Sequence, residues 1–252
     1  MNKYHIPNLG KACEVMERIA DTPDGCLLKT LSSELDIPRT TALRITRTLL
    51  DAGFLAENEA GALTLGTTLV QLGVKALDHL DIRGYARPVL KALARDTGES
   101  CHLAVLNGDQ SMLVEVADSP HPVRIASRPG TLVDLHCSST GKIFLAFSIV
   151  EPAKFIENLA LTAHTKNTDS TARAVLKSLE RTRKQGYAMD EEEYVLGVRC
   201  VAAPVVNAFG KTIAAVGVTA STNTFTKSKI HAMATKTLTA ANEISRRLGC
   251  GG

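Results

Sequence analysis

The stretch LLKTLSSELDIPRTTALRITRTLLDAG, residues 27–53, decides how the first third of this chain folds. Leu28, Leu31 and Leu35 recur at the three- and four-residue spacing of one helix face. Asp36-Ile37-Pro38 then breaks the pattern, because a proline ring pushes the residue before it out of the helical region. A second helix is expected from Arg39. Its stripe is Ala42, Ile45, Leu49 and Ala52, whereas Thr40, Thr41, Arg44, Arg47 and Asp51 fall on the other side. Gly53 closes it as a C-terminal cap. Two short helices about a tight turn, the second carrying three arginines, form the helix-turn-helix pattern. An arginine can fork onto guanine O6 and N7, and threonine hydroxyls near a helix start can reach phosphates. Arg44 is therefore expected on a base edge of double-stranded DNA, with Arg39, Thr40, Thr41 and Arg47 mostly on backbone phosphates. A small bundle with a solvated Arg/Thr face would show the same pattern.

The neighbouring segments extend the module. Leu9, Ala12, Val15, Met16 and Ile19 mark an amphipathic helix ahead of the break at residues 22–25. FLAENEAGALTLG, residues 54–66, reads as two strands about the turn Asn58 to Gly61, which makes the module winged. This wing holds two glutamates and no Lys or Arg. Residues 1–80 carry eight Lys/Arg against ten Asp/Glu, so the net +3 of the chain arises beyond them. A DNA-binding module is normally basic, so this one must act through a focused arginine patch and is expected to act as a dimer. Residues 67–80, TTLVQLGVKALDHL, place Leu69, Leu72, Ala76 and Leu80 on one side of a connecting helix. That stripe serves either as a dimer seam or as packing within its own chain. The expected organisation is residues 1–66 as a winged helix-turn-helix, 67–80 as a connecting helix, and 81–252 as a second domain.

Composition excludes several classes. With 44% hydrophobic and 22% charged residues over 252 positions, the chain has the balance of an ordinary globular protein. No apolar run reaches the ~18 residues of a membrane span, so no membrane partner is expected. Acidic residues stand where a signal peptide needs an apolar core, so a cytoplasmic location is expected. Cysteines 13, 26, 101, 137, 200 and 250 form no CxxC pair and read as reduced, mostly buried thiols.

Beyond residue 81 the texture changes. A helix over 82–98 should kink or begin at Pro88. Residues 99–120 alternate like two strands about Asn107-Gly108-Asp109, and HPVRIASRPG, residues 121–130, is a third strand candidate. A helix opens near Ser138, Ser139 and Thr140, another spans 170–186, and strands at 200–207 and 211–221 precede a last helix over 229–249. Strands flanked by helices in this order describe an α+β domain with an antiparallel sheet. Gly141-Lys142 invites a phosphate-loop reading, but position 136 is His136 rather than glycine and Lys142 is followed by Ile143.

The segment YAMDEEEYVLGVRC, residues 187–200, holds four consecutive carboxylates ten residues ahead of a cysteine. Zinc could take Cys101-His102, His136-Cys137 and Cys200, yet adjacent residues on a strand point to opposite faces, so each pair offers one ligand at best. No metal and no cofactor is expected. A Cys200 nucleophile needs a base in reach; His136 or His102 could serve, but no local motif supports it. An enzyme built on Cys200, with the N-terminal module as a DNA tether, is the alternative to a regulator, and no catalytic residue is expected in the preferred reading. Glu191 and Glu192 read as solvated.

In order and in motif the chain resembles the IclR family of bacterial transcriptional regulators over essentially its whole length. PRTTALRITRTLLDAGFL, residues 38–55, looks like the family's recognition helix and wing entry. The family signature Gly-x3-Asp-x2-Glu-x6-Cys is matched by Gly186, Asp190, Glu193 and Cys200, followed by Val201, Ala202, Val205 and Asn207. Val206, Leu63 and Thr46 depart from the residues usual there. The resemblance implies a GAF-like C-terminal domain that binds a small metabolite effector, and operator binding by homodimers or homotetramers. Carried over residue by residue, it places the effector at Asp190, Cys200, Gly217 and Thr219, with Ser138, Ser139 and Thr140 beside them. Glycine at 217 stands where some relatives carry a serine, which removes a hydroxyl donor. The segment from Asp190 to Cys200 is expected to wrap a loop over that pocket.

Overall fold

The computed structural model describes residues 6–78, 82–122 and 124–250, without the side chains at 74 and 76–78. Two compact units, Met1–His79 and Leu80–Gly252, each enclose a core.

The first unit runs α1 (Pro7–Ala20), α2 (Leu28–Glu34), α3 (Arg39–Asp51), β1 (Leu55–Glu57), β2 (Leu63–Leu65) and α4 (Thr67–Asp78). Val15 and Ile19 of α1, Leu31 of α2 and Ala42 and Ile45 of α3 meet Ile37, Leu55 and Leu63 in one apolar cluster. Between α2 and α3, Asp36 turns left-handed at φ 50°, and Ile37 N donates to Ser32 O at 3.0 Å. An aspartate tolerates that conformation better than most residues. The tight turn therefore rests on Asp36 as well as on Pro38. Gly53, at φ +73°, ends the α3 segment as expected, with Phe54 N donating back to Leu49 O at 2.8 Å. Strands β1 and β2 pair antiparallel, and Asn58 Oδ1 accepts from Ala60 N and Ala62 N across their turn. On α4, Leu72 is exposed; Leu80, the last position of the expected stripe, and the side chain of Ala76 lie outside the described residues.

The second unit runs α5 (Ile82–Thr97), β3 (Ser100–Asn107), β4 (Gln110–Ala117), β5 (Leu132–Asp134), α6 (Ser139–Phe147), α7 (Pro152–Glu157), α8 (Ala172–Gln185), β6 (Ala188–Glu191), β7 (Val198–Val206), β8 (Thr212–Ser221) and α9 (Ile230–Arg247). Its six strands lie in the order β5-β4-β3-β8-β7-β6, every neighbouring pair antiparallel. Helices α5 and α9 pack on the sheet, as does α6, against which α8 lies. Leu135, Ile143, Phe144, Leu145, Val175 and Leu179 form the core that joins α6 and α8 to sheet residues Ala104, Leu113, Ala188, Ala202 and Ala215. This is the expected α+β arrangement.

Three expectations change. Helix α5 starts at Ile82 and carries Pro88 inside it, so it does not begin at the proline. Residues 121–130 hold no described strand, Val123 lying outside the described residues; the third strand of that edge is β5, after a left-handed Gly130. Pro120, Pro122 and Pro129 deprive that segment of ladder donors, and Ile125 O instead accepts from Ser100 Oγ at 2.9 Å. Finally, Asp190 does not stand in a loop: it sits in β6, directly opposite Cys200 of β7.

Candidate functional site

On the first unit, the amphipathic register of α3 turns Ala42 and Ile45 inward and leaves Arg39, Thr40, Arg44 and Arg47 exposed, with Thr41 half-buried. Among the described residues the guanidinium groups of Arg39, Arg44 and Arg47 have no side-chain hydrogen bond or ion pair. Thr46, on the inner side, satisfies its hydroxyl by donating to Ala42 O at 2.9 Å, so it fills a core position at little cost.

In the second unit, the sheet register lines up two adjacent rows of side chains on one face. Asp190 faces Cys200, Cys200 faces Thr219, and His102 faces Gly217. These strands, the start of α6 and residues 124–131 and 194–198 line a cavity of about 400 Å³. That size suits a small metabolite. Six of the seven residues expected at the effector line it: Ser138, Ser139, Thr140, Asp190, Cys200 and Thr219. The seventh, Gly217, acts by what it lacks. A Cβ there would lie 2.3 Å from His102 Nε2, so glycine makes room for the imidazole that lines the wall.

The polar groups of this cavity are strongly perturbed. Asp190 Oδ1 accepts from Glu193 N at 2.7 Å and Tyr194 N at 3.4 Å, yet burial, with Glu193 beside it, pushes the carboxyl up to about 7. Burial holds His102 down at about 4, and its Nδ1 has no hydrogen-bond partner among the described residues. Cys200 Sγ lies 3.2 Å from Thr219 Oγ1; burial, then Asp190, raises the thiol well above its usual range. Among the described residues no histidine hydrogen-bonds this sulfur; the carboxylate that faces it is Asp190.

Lys142 explains the Gly-Lys pair. It is fully buried, and its Nζ donates to both Glu193 carboxylate oxygens at 2.5 and 2.6 Å and to Met189 O at 3.1 Å. Gly141 is needed because a Cβ there would stand 2.3 Å from Leu135 Cα. Ser138 caps α6 by accepting from Gly141 N at 3.1 Å and itself donates to Asp134 O at 2.6 Å. Glu193, a residue of the family signature, therefore anchors the turn after β6. Burial raises its carboxyl, with Lys142 opposing. Glu192 is not merely solvated: it turns left-handed at φ 65° and its carboxylate accepts from Gly197 N at 2.9 Å. Glu191 stands 3.9 Å from Arg199 Nε.

His102, Arg124, Ser127 and Tyr194 also line the cavity and were not among the expected effector residues. Reading 121–130 as a strand hid Arg124 and Ser127. The rule that neighbouring Cys and His point apart holds on β3, where Cys101 Sγ approaches Thr97 of α5 while His102 lines the cavity. It does not apply to His136-Cys137, which stand in the turn between β5 and α6.

Residues 74–246 match the family model of the bacterial transcriptional regulator IclR C-terminal domain, and residues 9–59 match the IclR helix-turn-helix domain. The chain belongs to the IclR family. It is an IclR-type transcriptional regulator with a helix-turn-helix DNA-binding domain. It is 31% identical over 221 residues to the regulator KdgR of Escherichia coli, covering 87% of this chain and 84% of that one. Identity to the uncharacterized E. coli regulator RhmR is 32% over 248 residues, 97% of this chain and 94% of the relative. Among solved IclR structures, that of Thermotoga maritima superposes with a TM-score of 0.76 at 28% identity, over 97% of this chain and all of the other. No described helix is long and apolar enough to cross a membrane.

Proposed function

We propose that this IclR-type regulator binds operator DNA through the outer face of α3 and that a small metabolite in the 400 Å³ cavity modulates the binding. The observation that carries the effector half is the convergence of Ser138, Ser139, Thr140, Asp190, Cys200 and Thr219 on one half-open cavity. Asp190 and His102 offer hydrogen-bonding groups to ligand hydroxyls, and the backbone amides that open α6 favour an anionic group. Arg44 reads a base edge; Arg39, Thr40, Thr41 and Arg47 hold phosphates. Operator half-sites are engaged by a homodimer, or by a tetramer of such dimers, and the exposed Leu72 of α4 supports a seam there. The two sites couple because the effector favours one arrangement of the DNA-binding domains over another. Burial, which raises the Cys200 thiol, and the lack of a histidine bonded to it among the described residues support binding rather than catalysis as the role of the cavity.

Footprinting on DNA upstream of its own and neighbouring genes, with and without candidate metabolites, tests the proposal. A protected site whose occupancy shifts with one metabolite is expected, and Cys200→Ser and Asp190→Ala should change that response while leaving effector-free binding nearly intact. No protection at any salt up to physiological overturns the reading.

A further inference from the structure

The turn between β5 and α6 gathers metal-binding side chains beside the cavity but outside its wall. Asp134 ends β5, Cys137 lies three residues on, and His164 arrives from the segment after α7; one donor atom from each lies within 4.8 Å of the other two. We propose that Asp134, Cys137 and His164 bind a zinc-class divalent cation. The site is independent of which metabolite the cavity takes.

The donor set argues for that class. Thiolate and imidazole ligands select zinc and its neighbours over magnesium and calcium, which prefer oxygen alone. Bond lengths of about 2.0–2.3 Å place tetrahedral zinc ligands ~3.3–3.8 Å apart, so donor atoms at the 4.8 Å limit must draw in by about 1 Å while the 2.7 Å contact between Asp134 Oδ2 and His164 Nε2 opens to admit the ion. Their supports are already in place. Ser138 Oγ donates to Asp134 O and fixes the short turn that presents Asp134 and Cys137. Gln110 Nε2 donates to Asp134 Oδ1 at 3.3 Å, leaving Oδ2 to face His164 Nε2 at 2.7 Å. His136 Nε2, 3.0 Å from Thr162 O, ties the His164 segment to the same turn, and His164 lies between the rings of His136 and Tyr194. Such outer contacts orient metal ligands.

Three protein ligands leave one tetrahedral position for water or a ligand atom. Val133 and Ser138, which flank the Asp134–Cys137 turn, and Tyr194 all line the cavity, so that open position adjoins the effector space. Binding takes Cys137 as its thiolate, so one proton leaves to solvent for each ion bound.

Cobalt(II) titration of the full-length protein under reducing conditions tests this, because a cobalt–thiolate bond gives a charge-transfer band that carboxylate or imidazole ligands alone do not. One equivalent should bind with that band. Zinc should then displace it. Cys137→Ser should lose the band, and His164→Ala, a change at a partly exposed side chain that spares the fold, should weaken cobalt binding at least about tenfold, the size reached even by losing an outer-shell partner. Cys13→Ala, which removes the exposed thiol of α1, should change neither. The proposal is overturned by the absence of stoichiometric binding, by a band that disappears with Cys13, or by unchanged affinity in His164→Ala.

Discussion

The outer face of α3 and the inner end of α6 both concentrate charge, and they treat it in opposite ways. Arg39, Arg44 and Arg47 stand exposed without side-chain partners among the described residues. Lys142 is fully buried and spends every ammonium hydrogen on Glu193 and Met189. A hydrated surface cation costs the fold little and stays free for phosphate or guanine; a buried one persists only when it is paired. Counting charges along the sequence cannot separate the two cases, which is why a module with more acids than bases can still present a cationic face.

The sharpest way to break this contrast is to remove one half of the buried pair. Lys142→Met should strand Glu193 and destabilise the second unit by about 3–5 kcal/mol, read by urea denaturation. Adding Glu193→Leu should recover most of the loss. A single-variant cost below about 1 kcal/mol would show that the pair is not what holds the turn after β6. On the exposed side, Arg44→Ala should leave stability unchanged but lose about 1–3 kcal/mol of operator affinity, confined to one base position. Arg47→Ala should weaken all sequences alike and lower the salt slope by about one. If Arg44→Ala also weakens all sequences alike, it contacts a phosphate.

How much of this was legible follows the range of the signal. The α3 stripe repeats within one helix, and it correctly sorted Ala42 and Ile45 from Arg44 and Arg47. The Asp190-to-Cys200 spacing spans one hairpin, so it carried the facing pair, although not the fact that Asp190 is in a strand. Lys142 and Glu193 are 51 residues apart, and nothing local pairs them. Arg124 and Ser127 lie in an irregular, proline-flanked segment whose path depends on a contact with Ser100. His102 and Gly217 are matched only through the register of β3 and β8.

That last pair permits a test of the cavity wall itself. Gly217→Ser must displace the imidazole of His102 and should cost about 1–3 kcal/mol, the usual penalty of overpacking. Combining it with His102→Ala should relieve the strain, so the double variant is more stable than the sum of the singles predicts. Strict additivity in that cycle would mean that the wall yields elsewhere.

In the natural protein the smallest expected effect is the net of two opposed slopes of stability with pH. The Asp190 carboxyl titrates near 3.8 in the unfolded chain and at about 7 in the fold, so between those values the native state holds a proton the unfolded state has lost. Its contribution to stability therefore falls as pH rises from about 4 to 7. His102 is the mirror case. With its imidazole lowered from 6.5 to about 4, the unfolded chain holds the extra proton in that window and stability rises with pH. In the natural protein the two slopes largely cancel. Asp190→Asn, which keeps an oxygen to accept from Glu193 N, should expose the His102 slope, a gain of up to about 1.4 kcal/mol per pH unit. His102→Gln should expose the opposite fall. Glu193 and Lys142, the charged neighbours of Asp190, are common to all three proteins, so differences between their denaturation midpoints isolate this pair. Parallel pH profiles for the three proteins would mean that neither group titrates as its burial dictates, and that water reaches the cavity wall more freely than the packing around Asp190 and His102 implies.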